Sequence, residues 1–200
     1  MERAYKKIEN TISCVLGVCN KLKYKLSDMS LTLIYDALIH SRLAYCSIVW
    51  ASTYRSNLQK IYSLQRRFLK MCHTKTNERE QIISLNPFQY FRRLDIYKII
   101  IFQISKFVYQ SLNGLLPSCF KDYFNNISQV HHYNTRSLQK LYHVQSRTNK
   151  RKFHICVKGP IVWNEIPQDI RNKKCLPCFA NALENYYLVI DNWKNKSILI

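Results

Sequence analysis

Glycine, proline and acidic residues are scarce in this sequence of 200 residues. Three glycines and five prolines leave little material for the tight turns of an all-β fold, so the composition favours helices. Twelve Asp and Glu residues face 31 Lys and Arg residues, which gives a formal net charge of +19. Packing does not require this excess. The partners that it suits are polyanions, with nucleic acid first and an anionic membrane surface second.

The sequence also lacks the usual signatures of catalysis. Two-metal polymerases and nucleases need clustered carboxylates, and no Asp-Asp pair occurs here. Glycine-rich phosphate loops, HExxH and GxSxG are absent as well. We therefore expect no enzymatic activity from the chain on its own, and no cofactor or catalytic metal.

No run of residues is long and apolar enough to suggest a membrane span. The most apolar stretch, at 96–109, is interrupted by Lys98, Gln103 and Lys106. The basic KLKYK that follows the first apolar run, and the absence of a small-residue cleavage site, argue against a signal peptide. The expected location is intracellular, cytoplasmic or nuclear, with no membrane as partner.

Apolar periodicity predicts a mainly α fold. A helical bundle is expected over 1–127, followed over 128–200 by an irregular basic segment and a small C-terminal helical unit. The first predicted helix of the bundle covers 2–25, and the second is capped by Ser27 or Asp28 and runs towards Trp50. Two longer helices follow over 54–73 and 88–112, the latter with Gly114 as its C-cap. A short helix is predicted from Pro117 to Phe124. Residues 126–158 suggest loop with one or two short strands, and Pro160 to Ile166 and 177–190 suggest short helices.

The predicted helix over 54–73 has an apolar face and a face that is wholly basic or neutral. No carboxylate occurs between Asp36 and Glu78. A charge run is usually a solvated face, but a carboxylate-free face also suits contact with phosphates, since each anion would cancel a counterion-releasing contact. The candidate nucleic-acid-binding residues on this helix are Arg55, Lys60, Arg66, Arg67 and Lys70.

A second segment without carboxylates lies between Asp122 and Glu165. It has no long helical period, so we expect an irregular basic surface rather than a helix face. Contacts to phosphate position a protein but do not specify bases, so non-specific binding is predicted. The candidate residues here are Arg136, Arg147, Lys150, Arg151 and Lys152, with Lys140 and Lys158 in the same stretch.

The eight cysteines leave more than one interpretation open. Most lie in apolar runs, as Cys14, Cys19, Cys46 and Cys72 do, where free buried thiols act as small hydrophobic groups. Cys175-Leu-Pro-Cys178 fits half of a zinc site or a redox pair. No second CxxC accompanies it, and residues 171–174 do not look like a strand, so neither is favoured. The histidines that could complete a zinc site, by elimination only, are His131, His132, His143 and His154.

Several short motifs occur in a fixed order along the chain. Tyr45-Cys46 with Trp50 ends the second predicted helix, and Leu64-Gln65-Arg66-Arg67 lies in the third. Further on come SLNGLLPSCF at 111–120, YNTRSLQKL at 133–141 and KGPIVWNEIPQDIR at 158–171. In this order and spacing, the sequence resembles the region that follows the palm in reverse transcriptases of non-LTR retrotransposons, of the jockey-like kind.

The resemblance covers nearly the whole chain and implies a thumb-like helical bundle with the element's C-terminal extension. In such polymerases the thumb packs on the template-primer duplex, so the implied partner is an RNA–DNA hybrid, RNA or DNA bound without sequence preference. The palm and fingers, with the catalytic aspartates, and the endonuclease are absent. We therefore expect a truncated segment that is not catalytic alone and whose further partner would be the missing palm and fingers. CLPC also departs from the serine-rich approach to the last helix that is usual in the family.

Two other hypotheses remain open. The chain could be an inert retrotransposon remnant whose charge is inherited and which has no activity. It could also be a secreted protein linked by disulfides, since Asn126-Ile-Ser128 and Asn195-Lys-Ser197 are glycosylation sequons, although such triplets often arise by chance.

Overall fold

The fold is mainly α-helical, as predicted from composition and periodicity. The computed structural model describes residues 2–72, 86–130 and 140–190, with side chains from Tyr5 onwards. In these ranges it contains twelve α-helical segments, one π-helical turn and one 3₁₀ segment, and the only β-type pairing is an isolated antiparallel bridge between Asn126 and Leu141. None of the described helices combines the length and the apolar character that crossing a bilayer requires.

Contacts divide the chain into two compact units, Met1–Ile100 and Ile101–Ile200. The division falls inside one continuous helix, Ile96–Leu112. The boundary predicted at residue 127 on sequence character stays a prediction.

The first unit begins with α1, Glu2–Leu22, close to the predicted 2–25. The next helix, α2, covers Asp28–Ile34, and Ser27 caps it by accepting a hydrogen bond from the Ser30 backbone N–H at 3.1 Å. A π-helical turn, Tyr35–His40, leads into α3, Ser41–Ala44. The predicted second helix and its cap are therefore confirmed, with a π-turn in the middle.

The Tyr-Cys-x-x-x-Trp element forms the turn between α3 and α4, Ser47–Trp50. Cys46 adopts a left-handed backbone with φ of 48°, which breaks the helix. The Trp50 indole Nε1 donates a hydrogen bond back to the Tyr45 carbonyl oxygen at 2.9 Å, and its ring is buried. These motif residues end α3 and hold the turn that leads into α4, which gives them a structural role.

The predicted helix over 54–73 is confirmed as α5, Arg55–Cys72. The helix predicted over 88–112 is wrong in its first part. Pro87 to Tyr90 form a separate turn, α6, with Pro87 at the first position and Asn86 as its N-cap. Arg92 then takes a left-handed backbone with φ of 49°, and α7 starts only at Ile96. Helical backbone cannot continue through a residue with positive φ, so apolar content alone gave the wrong start.

The end of α7, Ile96–Leu112, matches the predicted glycine cap. Gly114 has φ of +66°, its backbone N–H donates to Ser111, and the Leu115 N–H donates to Gln110 at 2.9 Å. This is the Schellman arrangement, in which glycine takes the left-handed position without steric penalty.

The second unit contains shorter elements. After the 3₁₀ segment Ser118–Tyr123 come α8, Ile127–Val130, α9, Asn149–Lys152, α10, Ile155–Glu165, α11, Gln168–Arg171, and α12, Leu176–Val189. Its core is aromatic: the Tyr109 and Phe179 rings stack with centroids 4.4 Å apart, and Trp163 lies beside Phe179 at 5.8 Å. The predicted C-terminal helix, 177–190, is confirmed.

Between 126 and 158 the structure has more helix and less strand than predicted. The described part holds α8, α9 and the start of α10, and the expected strands reduce to the bridge between Asn126 and Leu141. Two backbone hydrogen bonds form the bridge: the Ile127 N–H donates to the Lys140 carbonyl at 3.0 Å and the Tyr142 N–H donates to the Asn125 carbonyl at 2.8 Å. The Asn164 amide in turn donates to the Leu141 carbonyl and accepts from the Leu141 N–H, at 3.0 and 2.9 Å.

Candidate nucleic-acid interface

The five candidate residues of α5 all lie on its exposed side, and the helix carries no carboxylate. At a rise of about 1.5 Å per residue, positions 55 to 70 extend over about 22 Å, enough for more than one phosphate contact. Leu58, Ile61, Phe68 and Leu69, on the opposite side, are almost fully buried. Because of the helical spacing, Arg55, Lys60, Arg66, Arg67 and Lys70 form one continuous basic surface, which we call the α5 face.

A groove between α1 and α5 extends the α5 face. It has a volume of about 450 Å³, and it brings Lys23, just past the end of α1, to the same cleft as Arg67 and Lys70. Among the residues that the structure describes, no acidic residue lines it, and the other lining residues are Ser13, Leu16, Gly17, Asn20, Leu64 and Met71. Lys23 was missed from the sequence because only the packing of α1 on α5 places it there. The KLKYK run was the signal that could have indicated it.

Gln65 holds α5 in place through two buried hydrogen bonds. Its side-chain Nε2 donates to the Tyr35 hydroxyl at 2.9 Å, and its Oε1 accepts from the Ile96 backbone N–H at 2.8 Å. The residue is fully buried, so both amide atoms need these partners. Burial also raises the pKa of Tyr35 beyond its ordinary range, which keeps the phenol neutral and able to donate and accept. The glutamine of the Leu-Gln-Arg-Arg motif is thus a core residue.

Arg55, at the start of α5, is supported by an aromatic ring. Its guanidinium carbon lies 5.6 Å from the centre of the Tyr97 ring, in cation–π range. The Tyr97 hydroxyl donates to Gln59 Oε1 at 2.8 Å, which ties the ring to the same helix. Burial raises the pKa of Tyr97, while its hydrogen bond with Arg55 lowers it.

Two carboxylates of the first unit are already engaged. Asp36 accepts two hydrogen bonds from Arg93, at 2.8 Å from Nε and 2.6 Å from Nη2, in a bidentate pair. Asp95 is buried and its Oδ1 accepts from the Lys98 backbone N–H at the start of α7. Asp36 is therefore already paired with Arg93.

The second group of candidates clusters around α9. Thr148 caps this single turn, and Arg147, Lys150 and Arg151 are exposed, with Lys152 half-buried. Arg136 lies outside the described residues, as do Lys75, His131 and His132. α5 belongs to the first unit and α9 to the second, so each group is a candidate surface of its own unit.

Lys158 belongs to the same basic stretch but is not on the surface. Only 4% of it is exposed, and its ammonium lies 5.0 Å from the centre of the Phe153 ring. Burial lowers its pKa to about 8, because a charged ammonium loses its hydration there. It is next to Gly159, where an added Cβ would lie 2.6 Å from the Phe124 ring. The KGP motif is therefore packed in the core of the second unit.

The burial of the cysteines matches the prediction for some of them and differs from it for others. Cys19 and Cys72 are buried free thiols, as predicted, and burial raises the pKa of Cys72 to about 12. Cys14, in α1, and Cys46, in the turn before α4, are free thiols but exposed. The prediction of burial is therefore wrong for these two. Cys175 and Cys178 are bonded to each other as a disulfide.

Comparisons of the chain with protein-family models, with curated proteins and with solved structures gave no match.

Proposed function

We propose that the chain is a thumb-like segment of a non-LTR retrotransposon reverse transcriptase that binds nucleic acid non-specifically through the α5 face. One observation carries the proposal: five cations lie on one exposed face of a regular helix that carries no carboxylate. Lys23 lies beside them, in a groove whose described lining residues include no acid. The ligand class is a phosphate backbone, with an RNA–DNA hybrid as the first choice from the family resemblance.

The chemistry of the α5 face suits tracking of phosphates rather than reading of bases. Arginine offers planar bidentate donors and lysine a point charge, and both release counterions when they meet phosphate. The side-chain Nε2 of Gln59 adds a neutral hydrogen-bond donor on the same exposed side. Catalysis is not part of the proposal, and any polymerisation would depend on a separate palm.

The test is a titration of the chain with a labelled RNA–DNA hybrid at several salt concentrations. If the five α5 cations and Lys23 all contact phosphates, the slope of log K against log salt should be about −5.4, which is a loss of about 2,000-fold in affinity between about 50 and about 200 mM salt. Reversing Arg66, Arg67 and Lys70 to Glu should weaken binding to all hybrid sequences alike and reduce the slope by about 3.

A matched control carries the same charge change elsewhere. The triple variant Arg147→Glu, Lys150→Glu and Arg151→Glu alters three exposed cations around α9. It should bind the hybrid within a few-fold of the affinity of the unmodified chain. Any small loss of affinity that comes only from the lower net charge should disappear at high salt, where long-range electrostatic attraction is screened. Helix content by circular dichroism should be unchanged in both variants, because all six positions are exposed.

The opposite pattern would assign the contact to α9: binding intact in the α5 variant and lost in the α9 variant. A folded, monomeric protein with no salt-dependent binding would refute nucleic-acid binding altogether. That result would favour the inert remnant.

A further inference from the structure

The Cys175-Leu-Pro-Cys178 motif forms the first turn of α12. Cys175 is the N-cap residue, and its sulfur accepts a hydrogen bond from the Cys178 backbone N–H at 3.1 Å. The Cα atoms of the two residues are 5.3 Å apart, inside the range that a disulfide requires, and their sulfurs are bonded. The motif therefore opens a helix of 14 residues, which is the setting in which a CxxC pair is chemically active.

The turn that carries the pair is held from both sides. The Tyr109 hydroxyl donates to the Lys173 carbonyl oxygen at 2.8 Å, two residues before Cys175. One residue after Cys178, Phe179 is fully buried against Tyr109 and Trp163. Because both ends are fixed by the core, the two sulfurs remain close whether or not they are bonded. This raises their effective concentration towards each other.

The surroundings favour a thiolate. A helix N-terminus presents unpaired N–H groups and a partial positive charge. Lys173 and Lys174, both exposed, come directly before Cys175, and no Asp or Glu occurs between Asp169 and Glu184. Cys178 is exposed and Cys175 is half-buried, so a small molecule can reach the pair.

We propose that Cys175 and Cys178 form a reversible dithiol–disulfide site that exchanges with small-molecule disulfides of the glutathione type. The Cys175 thiolate attacks one sulfur of the small disulfide, forms a mixed disulfide and releases one thiolate. Cys178 then loses its proton to solvent and attacks the Cys175 sulfur, which closes the internal disulfide and releases the second thiolate. The pair loses two electrons, the small disulfide is reduced to two thiols, and excess thiol reverses each step.

The chain allows a direct measurement, because both cysteines fall in one tryptic peptide, 175–194, that contains no other cysteine. Cys119, another exposed free cysteine, is the only cysteine of a separate peptide, 107–121, and serves as an internal control. The full chain is equilibrated with mixtures of reduced and oxidised glutathione, quenched by alkylation and digested. We expect peptide 175–194 to pass from two alkylated thiols to one internal disulfide, and to return when reduced glutathione is in excess. Peptide 107–121 should carry only a glutathione adduct.

Two variants separate the roles of the sulfurs. Cys178→Ser should accumulate glutathione on Cys175. Cys175→Ser keeps a hydroxyl that can cap α12, so it should fold, as circular dichroism can check. In that variant the remaining Cys178 should react with glutathione disulfide at least about fivefold more slowly than Cys175 does in Cys178→Ser.

Three results would overturn the proposal. One is that peptide 175–194 stays reduced under conditions that modify Cys119. The second is equal adduct rates in the two serine variants. The third is an internal disulfide that excess reduced glutathione does not open, since this would make the pair a permanent cross-link. None of these results bears on the α5 face, so this inference and the proposed function can fail separately.

Discussion

Replacing Lys158 with methionine should stabilise the second unit at neutral pH. The side chain is almost fully buried, its ammonium lies over the Phe153 ring, and burial lowers its pKa from 10.5 to about 8. At about 1.4 kcal/mol per pKa unit, holding this charge in the folded state costs about 3.5 kcal/mol. Loss of the cation–π contact costs the variant about 1 kcal/mol, so its net gain in free energy of unfolding should be about 2.5 kcal/mol.

The pH dependence identifies the cause. Because the pKa of Lys158 is lower in the folded than in the unfolded chain, the unfolded chain binds more protons between pH 8 and 10.5. Stability of the unmodified chain therefore rises with pH through this window, and the cost is fully present below it. The advantage of Lys158→Met should accordingly shrink by about 2 to 3 kcal/mol between about pH 7 and about pH 10.

Urea unfolding of both proteins across this pH range measures the difference directly. Taking the difference removes the contributions of other groups, such as the buried cysteines and tyrosines, which titrate in both. Lys150→Met, at an exposed position of the same unit, is the control and should change stability by less than about 0.5 kcal/mol. A Lys158→Met advantage that is absent, or that does not change with pH, would refute the burial argument.

Three further predictions concern packing and the α5 face. Gly159→Ala should lower the unfolding free energy by about 1 kcal/mol or more, because its Cβ would meet Phe124 at 2.6 Å. Gly17→Ala in α1 is the matched control: its Cβ meets nothing within 4 Å, so it should raise the unfolding free energy by about 0.5 to 1 kcal/mol. Thermal unfolding of the two variants compares them. Gln65→Leu should cost about 2 to 4 kcal/mol, since it leaves the Tyr35 hydroxyl and the Ile96 N–H without their partners, and a loss under about 1 kcal/mol in urea unfolding would contradict this. Lys23→Glu should reduce the salt slope of hybrid binding by about 1, as the groove shared with Arg67 and Lys70 requires, while Lys150→Glu should not.

Periodic amphipathic segments were the most predictable part of the fold. The apolar spacing of 54–73 gave α5 to within a residue at each end, and Ser27 and Gly114 gave a helix start and a helix stop. The start of α7 was not predictable in this way, because the left-handed Arg92 leaves no signature in an apolar pattern.

The candidate site shows the same division. The α5 cations could be placed on one face because they share a helix, and their exposure follows from its period. Lys23 lies beside them only because α1 packs on α5, and Lys158 is absent from the basic surface only because α10 packs in the core of the second unit. A count of charges along the chain records neither event, since burial depends on contacts between segments distant in sequence.

Gln65 also restricts the rotation of α5 about its own axis. A helix that packs only through apolar side chains can turn about its own axis and exchange one set of van der Waals contacts for another at modest cost. Here a rotation by one residue, about 100°, would break the hydrogen bonds to Tyr35 and Ile96 together and leave both groups buried without partners. The apolar face of α5 decides which side of the helix is exposed, and Gln65 adds a directional restraint on the direction in which the five cations point.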